Sequence, residues 1–505
     1  MLLPILLIIP FFSGILCLFM NNKYVNFSYY LSLISMTIVF ILSLILFYQC
    51  FYIDYSNSLT HHWNVEYIIP WISRLGISFY LAVDRLSILM LNLTSVLGLI
   101  SIFCSFDQIR RNIGMFYFSL LWTIGSMIGI FISIDLFLFF CFWELSILPI
   151  YFLVVMWGYG NNNEKVCLKR IHSANKFFIY SQISGLILLF SILALVYTNY
   201  TYNNFFTFNY EILCKAKIPI LLESCIMFCF FLAFAIKIPI VPFHGWLPDF
   251  HVYSPIMGSV DLSGILLKTG IYALMRFNLP LFPHATVRFS FVIICLGIIT
   301  IFYGIFVSYF QDNIKRFIAY ISISHMGFVI ISIYSINQLS YQGGILLVIT
   351  CSLSTSALFL LSGQLFKNLG TFKISKMGGL WSKLKWIPGF FFFFIVSNFG
   401  IPGTGNFSGE LMTLMGCFKF FPVIVGILSI SLIFSALCSL TVVQRIYFGV
   451  MNKNNLVFIS NRVIVKNFFV FLFLSILILI IGFYPKIIFD VSYSSLCNIH
   501  EIFHI

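Results

Sequence analysis

Charge is scarce in this 505-residue chain: Asp, Glu, Lys and Arg together make up 9% of it, and only 15 residues are acidic. With 61% of its residues apolar, it has too few polar side chains to cover a water-soluble core, so lipid is the solvent for most of the chain. A net charge of +13 would suit nucleic acid only if the basic residues were clustered. The 28 Lys and Arg are instead scattered through short loops, which excludes that reading. CxxC pairs are absent, and none of the 13 cysteines stands at a zinc or iron–sulfur spacing, so they read as small apolar core residues. A phosphate-binding GxxxxGK is missing too. Gly403-Thr404-Gly405 with Gly409 lies inside an apolar run with no strand before it, and reads as flexible backbone. With no flavin, quinone or cluster motif, no cofactor is expected on this chain. Met1–Met20 lacks a basic n-region and runs straight into an apolar span, so no cleavable signal is expected.

What the chain has in excess is apolar length. Segments of about 20 apolar residues, each able to cross about 30 Å of hydrocarbon, fall at 2–19, 27–51, 77–105, 113–134, 136–157, 173–198, 223–253, 255–277, 287–310, 314–334, 343–365, 387–418, 421–448 and 467–489. The expected fold is therefore an all-α polytopic membrane protein with about 14 transmembrane helices. Seventeen Lys and Arg lie in odd-numbered loops against seven in even loops and the tail. The positive-inside rule puts the odd loops inside and both termini outside. Phe reaches 62 residues, with an unbroken run at Phe390–Phe394. Lipid accepts Phe, Ile and Leu almost interchangeably, so T-rich codons accumulate unpunished, which fits an AT-rich organellar genome and the mitochondrial inner membrane.

Two spans are too long and carry breakers. Lys237-Ile238-Pro239-Ile240-Val241-Pro242 interrupts the seventh, and Gly400-Ile401-Pro402-Gly403 the twelfth. Proline removes an N–H and clashes with the preceding turn, so both helices are expected to break at mid-depth. From residue 113 to Lys237 is 124 residues, and from 287 to Glu410 is 123. Five spans separate the two starts, so the second unit runs inverted relative to the first. Inverted repeats with paired interrupted helices mark a transport site. The implied segments are an N-terminal three-helix piece (1–112), a first repeat of spans four to eight (113–277), a second of spans nine to thirteen (287–448) and a C-terminal helix and tail (449–505).

An ionisable side chain inside a span is costly and is a functional candidate by default. Glu144, Lys237, Lys268 and Glu410 qualify, and His325 lies midway along span ten. A buried carboxylate and a buried ammonium can trade a proton when their surroundings change. A static ion pair tying helices together is the competing reading. Asp84 and Asp135 stand at span edges and read as helix caps or inter-helix hydrogen bonds. His244 and His251 flank Pro248, with no third ligand near in sequence. They read as helix-end or channel-mouth groups, and less readily as metal ligands. Asp261 precedes Lys268 by seven residues, two α-helical turns, which would set both on one face about 10 Å apart. It is read either as an extra carboxylate acting on Lys268 or as a hydrogen-bonded tie to a neighbouring helix.

The stretch FAIKIPIVPFHGWLPDFHVYSPIMGSVDLSGILLKTGIYALMR at 234–276 resembles the antiporter-like subunits of respiratory complex I and their bacterial cation/proton antiporter relatives. So do FWELSILP at 142–149, KFFIYSQISGLILL at 176–189, KRFIAYISISHMG at 315–327 and IPGTGNFSGELMTLMG at 401–416. The resemblance runs from about 75 to 450. Glu410 sets it with the subunit 4 branch, whereas the subunit 2 and subunit 5 relatives carry lysine there. It implies proton translocation, with Glu144 and Lys237 paired in an entry half-channel, Lys268 as central relay, His325 beside it and Glu410 as the exit-side carrier. It also implies membrane-arm partners, the subunit 2 and subunit 5 relatives among them, with NADH, FMN, iron–sulfur clusters and ubiquinone handled in partner subunits. A subunit of a multisubunit cation/proton antiporter and a structural scaffold are the alternatives. Two departures stand out. Span eleven of the family carries a histidine where this chain has Thr350-Cys351-Ser352, so bound water near Cys351 is the expected bridge. Asp261 stands where the family has an apolar residue.

Overall fold

The computed structural model describes residues 2–19, 25–52, 63–106, 111–160, 164–216, 218–449 and 461–492. Lys23, Arg110, Lys217 and Lys453, four of the charges used for orientation, lie outside them, as do the side chains of Arg462 and Lys466.

Helices α1 (Leu2–Phe19) and α2 (Val25–Tyr52) open the chain. A two-stranded antiparallel hairpin follows, β1 (Val65–Ile72) and β2 (Ile77–Val83). The all-α expectation holds for nearly the whole chain, and the hairpin corrects only the third span, whose first seven residues are strand. Ile77-Ser78-Phe79-Tyr80-Leu81-Ala82-Val83 is β-branched and aromatic, suited to a pleated surface. The turn closes through Gly76 at φ +67, a left-handed conformation, and a side chain there would collide with the Phe206 carbonyl. The helix of span three, α3 (Arg85–Ser105), begins only after Asp84 caps it by accepting from Ser87 N at 2.9 Å.

The chain continues through α4 (Ile113–Ile132), α5 (Leu136–Leu145), α6 (Ile147–Trp157), the 40-residue α7 (Glu164–Asn203), the short α8 (Tyr210–Cys214) and α9 (Ile220–Lys237). Asp135 caps α5 by accepting from Phe137 N at 2.9 Å and Leu138 N at 3.2 Å, and it also takes Ser78 N at 3.0 Å. Burial pushes its carboxyl up, and these donors pull it back. Both edge aspartates are caps, as expected. Helix α9 stops at Lys237, where Pro239 and Pro242 forbid continuation, and α10 (Trp246–Tyr253) resumes after a 3₁₀ turn.

Span eight is not a plain α-helix. It runs as α11 (Ile256–Asp261), a π-helical turn over Leu262–Leu266, α12 (Leu267–Ala273), a second π turn over Leu274–Asn278 and the one-turn α13 (Leu279–Leu281). A π turn inserts an extra residue into the α register. The shared face assigned to Asp261 and Lys268 from an unbroken 3.6-residue period therefore does not carry across 262–266. Then come α14 (Pro283–Tyr309), α15 (Ile314–Tyr334), α16 (Gln338–Leu369), α17 (Ile387–Asn398), α18 (Gly405–Phe418), α19 (Pro422–Tyr447) and α20 (Asn461–Phe483). The break between α17 and α18 falls on Phe399–Thr404, as the twelfth span's glycines and proline require.

Among the described residues eleven helices are long and apolar enough to cross a membrane, or twelve if the pair Asn467–Phe483 and Lys486–Ser492, bent by 73°, counts as one span. The expected fourteen differ by spans eight and twelve, which the π turns and the mid-depth break divide into shorter pieces.

The chain separates into two compact units. One comprises Met1–Ile238, Ile265–Phe289 and Asp490–Ile505; the other comprises Pro239–Gly264 and Ser290–Phe489. In the first unit α4 packs against α1, α3 and α6, and α7 against α9. In the second, α16 is the central helix and is buried along its whole apolar window. Its tightest neighbour is α18. A Cβ on Gly409 would lie 2.7 Å from Leu347 Cγ and 3.1 Å from the Gly343 carbonyl, and one on Gly343 would lie 2.8 Å from the Gly409 carbonyl. Small residues let the two backbones touch, the usual way helices associate where lipid offers no hydrophobic drive. Of the twelve described cysteines five are buried and Cys225 is exposed. The core reading thus holds for fewer than half, because a thiol is as comfortable against lipid as against protein.

Gly409→Leu is expected to lower the thermal midpoint of the purified protein, since overpacking against backbone costs about 1–3 kcal/mol or more. Gly426→Leu, where a Cβ meets nothing within 4 Å, is expected to leave that midpoint in place.

Candidate functional site

In the first unit the polar centre forms where α5, α7 and the end of α9 meet. Glu144 sits in the last turn of α5, and Gln182 of α7 donates to its Oε2 at 2.8 Å. Room for the carboxylate exists because residue 185 is glycine: a Cβ there would fall on Glu144 Oε1. Lys237 is 2% exposed. Its Nζ donates to Ser146 Oγ at 3.3 Å and lies 4.0 Å from the centre of the Trp143 ring. Glu144 and Lys237 act on one another electrostatically, the lysine buried and the glutamate half-buried. Among the described residues, though, no ion pair within 4.0 Å joins them. Ser146, two residues from Glu144, stands as the polar group on the lysine's side of the gap.

Lys268 is fully buried on α12, which packs against α9 and α4. The close approach of α12 to the end of α9 depends on Gly270, where a Cβ would lie 2.6 Å from Ile238 Cγ1.

In the second unit His325 of α15 and Glu410 of α18 come together, with Nδ1 to Oε1 at 3.6 Å and both side chains 4% exposed. Here too a glycine makes space: Gly400, at φ +73, faces Glu410 Oε2, and a side chain would collide with it. Beside them a neutral polar cluster fills the α17–α18 break. Asn406 Nδ2 donates to the Ser397 carbonyl at 2.9 Å and lies 3.3 Å from Asn398 Oδ1, while Ser354 Oγ donates to Asn398 Oδ1. Cys351 Sγ reaches Asn406 Oδ1 at 3.5 Å. Cys351 therefore belongs to this amide cluster.

The remaining candidates are all in the second unit. Asp261 is 1% exposed, which excludes a lipid-facing position. His251 stacks on Phe359 at 4.5 Å, and His244 meets Tyr303 edge-on at 4.6 Å. Among the described residues no three His, Cys, Asp or Glu side chains converge in a metal-binding group. Lys315, counted above as a loop charge, is fully buried instead, with Nζ donating to the Ser254 carbonyl at 2.7 Å. Arg316 pairs with Asp249.

Several polar partners escaped the sequence reading: Gln182, Ser146, the Asn398–Asn406 pair and an ion pair between Arg276 and Asp84 at 3.1 Å. A usable signal existed for the asparagines, which flank the Gly400–Gly403 breaker, Asn398 two residues before it and Asn406 three after it. None existed for Arg276, which sits at a span end where loop charges are ordinary.

Buried ionisable side chains beside two interrupted helices define a polytopic membrane protein with charge sites inside the bilayer. The family described as "NADH:quinone oxidoreductase/Mrp antiporter, TM" matches residues 133–435, and the chain belongs to it. It is 63% identical over 504 residues to "NADH-quinone oxidoreductase subunit M" of Buchnera aphidicola subsp. Baizongia pistaciae, with 100% of this chain and 99% of that protein covered. Its fold is similar to a chain of respiratory complex I from Thermus thermophilus, at a TM-score of 0.84 and 23% identity with both chains fully covered. It is also similar to a chain of the Mrp complex from Dietzia sp. DQ12-45-1b, at 0.83 and 17%, with 99% of each chain covered.

Asn406→Leu removes the donor to Ser397 and the acceptor for Cys351 in a fully buried site. Leaving such groups unpaired costs about 1–3 kcal/mol, so a lower thermal midpoint is expected, and an unchanged one would show that the cluster is not cohesive.

Proposed function

We propose that this chain is a proton-translocating, antiporter-like subunit of the membrane arm of respiratory complex I. The observation that carries the reading is the repeated placement of a carboxylate and a nitrogen base beside an interrupted helix, Glu144 with Lys237 in one unit and His325 with Glu410 in the other. Its relatives named as subunit M of NADH-quinone oxidoreductase support the same reading.

Glu144 and Lys237 form the entry pair. Because they interact without touching, a proton on either changes the charge seen by the other through a medium that screens poorly. Lys268 is the central relay, and His325 passes protons to Glu410, the exit-side carrier. The amide cluster around Cys351 orders polar groups where the family's histidine is missing. Asp261 either acts on Lys268 as an added carboxylate or ties span eight to a neighbour. The two inverted repeats, 113–277 and 287–448, each contribute one interrupted helix to this line. Oxidation of NADH and reduction of quinone, with flavin and iron–sulfur clusters, fall to partner subunits, and the subunit 2 and subunit 5 relatives are neighbours in the arm. This chain supplies no redox group.

The positive-inside bias puts the odd loops inside and both termini outside. The composition that suggested an organelle suits any AT-rich genome, and the relative described above is bacterial. We therefore favour the bacterial plasma membrane over the mitochondrial inner membrane. A cation/proton antiporter subunit is the second reading, favoured by the similarity to the Mrp chain. Purification from native membranes separates the two: flavin and iron–sulfur subunits co-purify with the first and not with the second.

Lys268→Met preserves the stem and volume while removing the titratable amine. Sealed vesicles carrying the variant are expected to lose NADH-driven proton uptake while the complex stays assembled; undiminished uptake would remove Lys268 from the path. Glu410→Ala is expected to impair uptake more than Glu410→Asp, because the shorter carboxylate still carries a proton. Equal losses would assign Glu410 to geometry instead.

A further inference from the structure

Tyr272 follows Lys268 by one turn of α12, about 6 Å along the axis, and both are fully buried. The Tyr272 hydroxyl lies 3.0 Å from Ser87 Oγ and 3.0 Å from the Phe131 carbonyl. Ser87 Oγ donates to Asp84 Oδ1 at 2.7 Å, and Ser87 N donates to the same oxygen at 2.9 Å. Arg276 Nη1 donates to Asp84 Oδ2 at 3.1 Å. The guanidinium is held in place from its other side by aromatic rings, Trp63 at 4.1 Å and Tyr210 at 5.6 Å. Trp63 is in turn fixed by donating Nε1 to Glu211. The Tyr272 and Ser87 hydroxyls thus lead to a carboxylate at the foot of the β1–β2 hairpin, from a tyrosine one turn of α12 beyond Lys268, all within the first unit.

Such a row conducts protons only if its last group accepts one. Asp84 already takes three hydrogen bonds, one of them from a guanidinium that does not deprotonate. Protonating it would strand a buried, unpaired Arg276. Fixed arginines serve as barriers to protons in other membrane pores. Without Arg276, Asp84 would keep only the two hydrogen bonds from Ser87 and would have lost its opposite charge.

We propose that the Asp84–Arg276 pair is a proton seal, closing a hydroxyl row that would otherwise drain protons from Lys268 to the hairpin side of the membrane. The proposal rests on the reading of Lys268 as a proton carrier. In the unsealed protein a proton would leave the Lys268 ammonium and pass along the Tyr272 and Ser87 hydroxyls, each releasing one proton as it receives one. The step ends with a neutral amine at Lys268 and a carboxylic acid at Asp84.

The test uses the intact complex in sealed liposomes, with an acid jump, a trapped pH-sensitive dye and no NADH. R276Q is expected to collapse the imposed gradient several times faster than wild type. The double variant R276Q/D84N, lacking the acceptor, is expected to return to the wild-type rate, and D84N alone to stay tight. A wild-type rate in R276Q overturns the seal. So does a D84N complex as leaky as R276Q, which would indicate loosened packing. If R276Q does not assemble, D84N decides: a tight complex upholds the proposal and a leaking one overturns it. NADH-driven uptake by K268M is measured alongside. A K268M complex that still pumps overturns the underlying reading, whereas a tight R276Q beside a K268M that does not pump overturns the seal alone.

Discussion

At Lys237, and again at Asn398, a helix stops in mid-membrane, and the N–H and C=O groups it releases have to find partners inside the protein. In the second unit the Asn406 side chain takes the Ser397 carbonyl, and Val241 N finds Thr300 Oγ1 at 3.2 Å. Polar side chains gathered to satisfy backbone also make a place where charge is tolerated. That is why Glu410 lies a few residues past one break and Lys237 at the edge of the other. The interruptions and the ionisable groups are two consequences of one demand for internal hydrogen bonding.

Both carboxylates occupy volume vacated by glycine, Gly185 opposite Glu144 and Gly400 opposite Glu410. A carboxylate in hydrocarbon needs a hydrogen-bond donor or a base and also space for its oxygens. The interior is packed to crystal density, so that space has to be left by a missing side chain. Gly400 serves twice, since its positive φ also turns the chain between α17 and α18.

The breaks were readable because proline and glycine act locally, and the cost of burying charge marked Glu144, Lys237, Lys268 and Glu410 without knowledge of their neighbours. What could not be read depends on residues far apart in sequence or on departures from regular periods. Gln182 meets Glu144 across 38 residues, and Arg276 meets Asp84 across 192. No one-dimensional pattern announces either. Strand β2 was absorbed into span three because it is as apolar as the helix after it. The π turns around Lys268 leave no mark in hydropathy, and they defeat any face assigned to Asp261 from an ideal helix.

Helix α7 holds one more consequence. Forty residues make a rod about 60 Å long, roughly twice the hydrocarbon thickness. Its first turn carries Glu164 and Lys165, and its last carries Asn203. Gln182 is the nineteenth of those 40 residues, near the midpoint. Only its stretch from Phe177 to Thr198, 22 residues or about 33 Å, matches the hydrocarbon, so sliding along the bilayer normal would drag Lys176 or the polar C-terminal turns into lipid. The two aqueous phases therefore act as stops, and the depth at which Gln182 meets Glu144 is gauged by the thickness of the membrane itself.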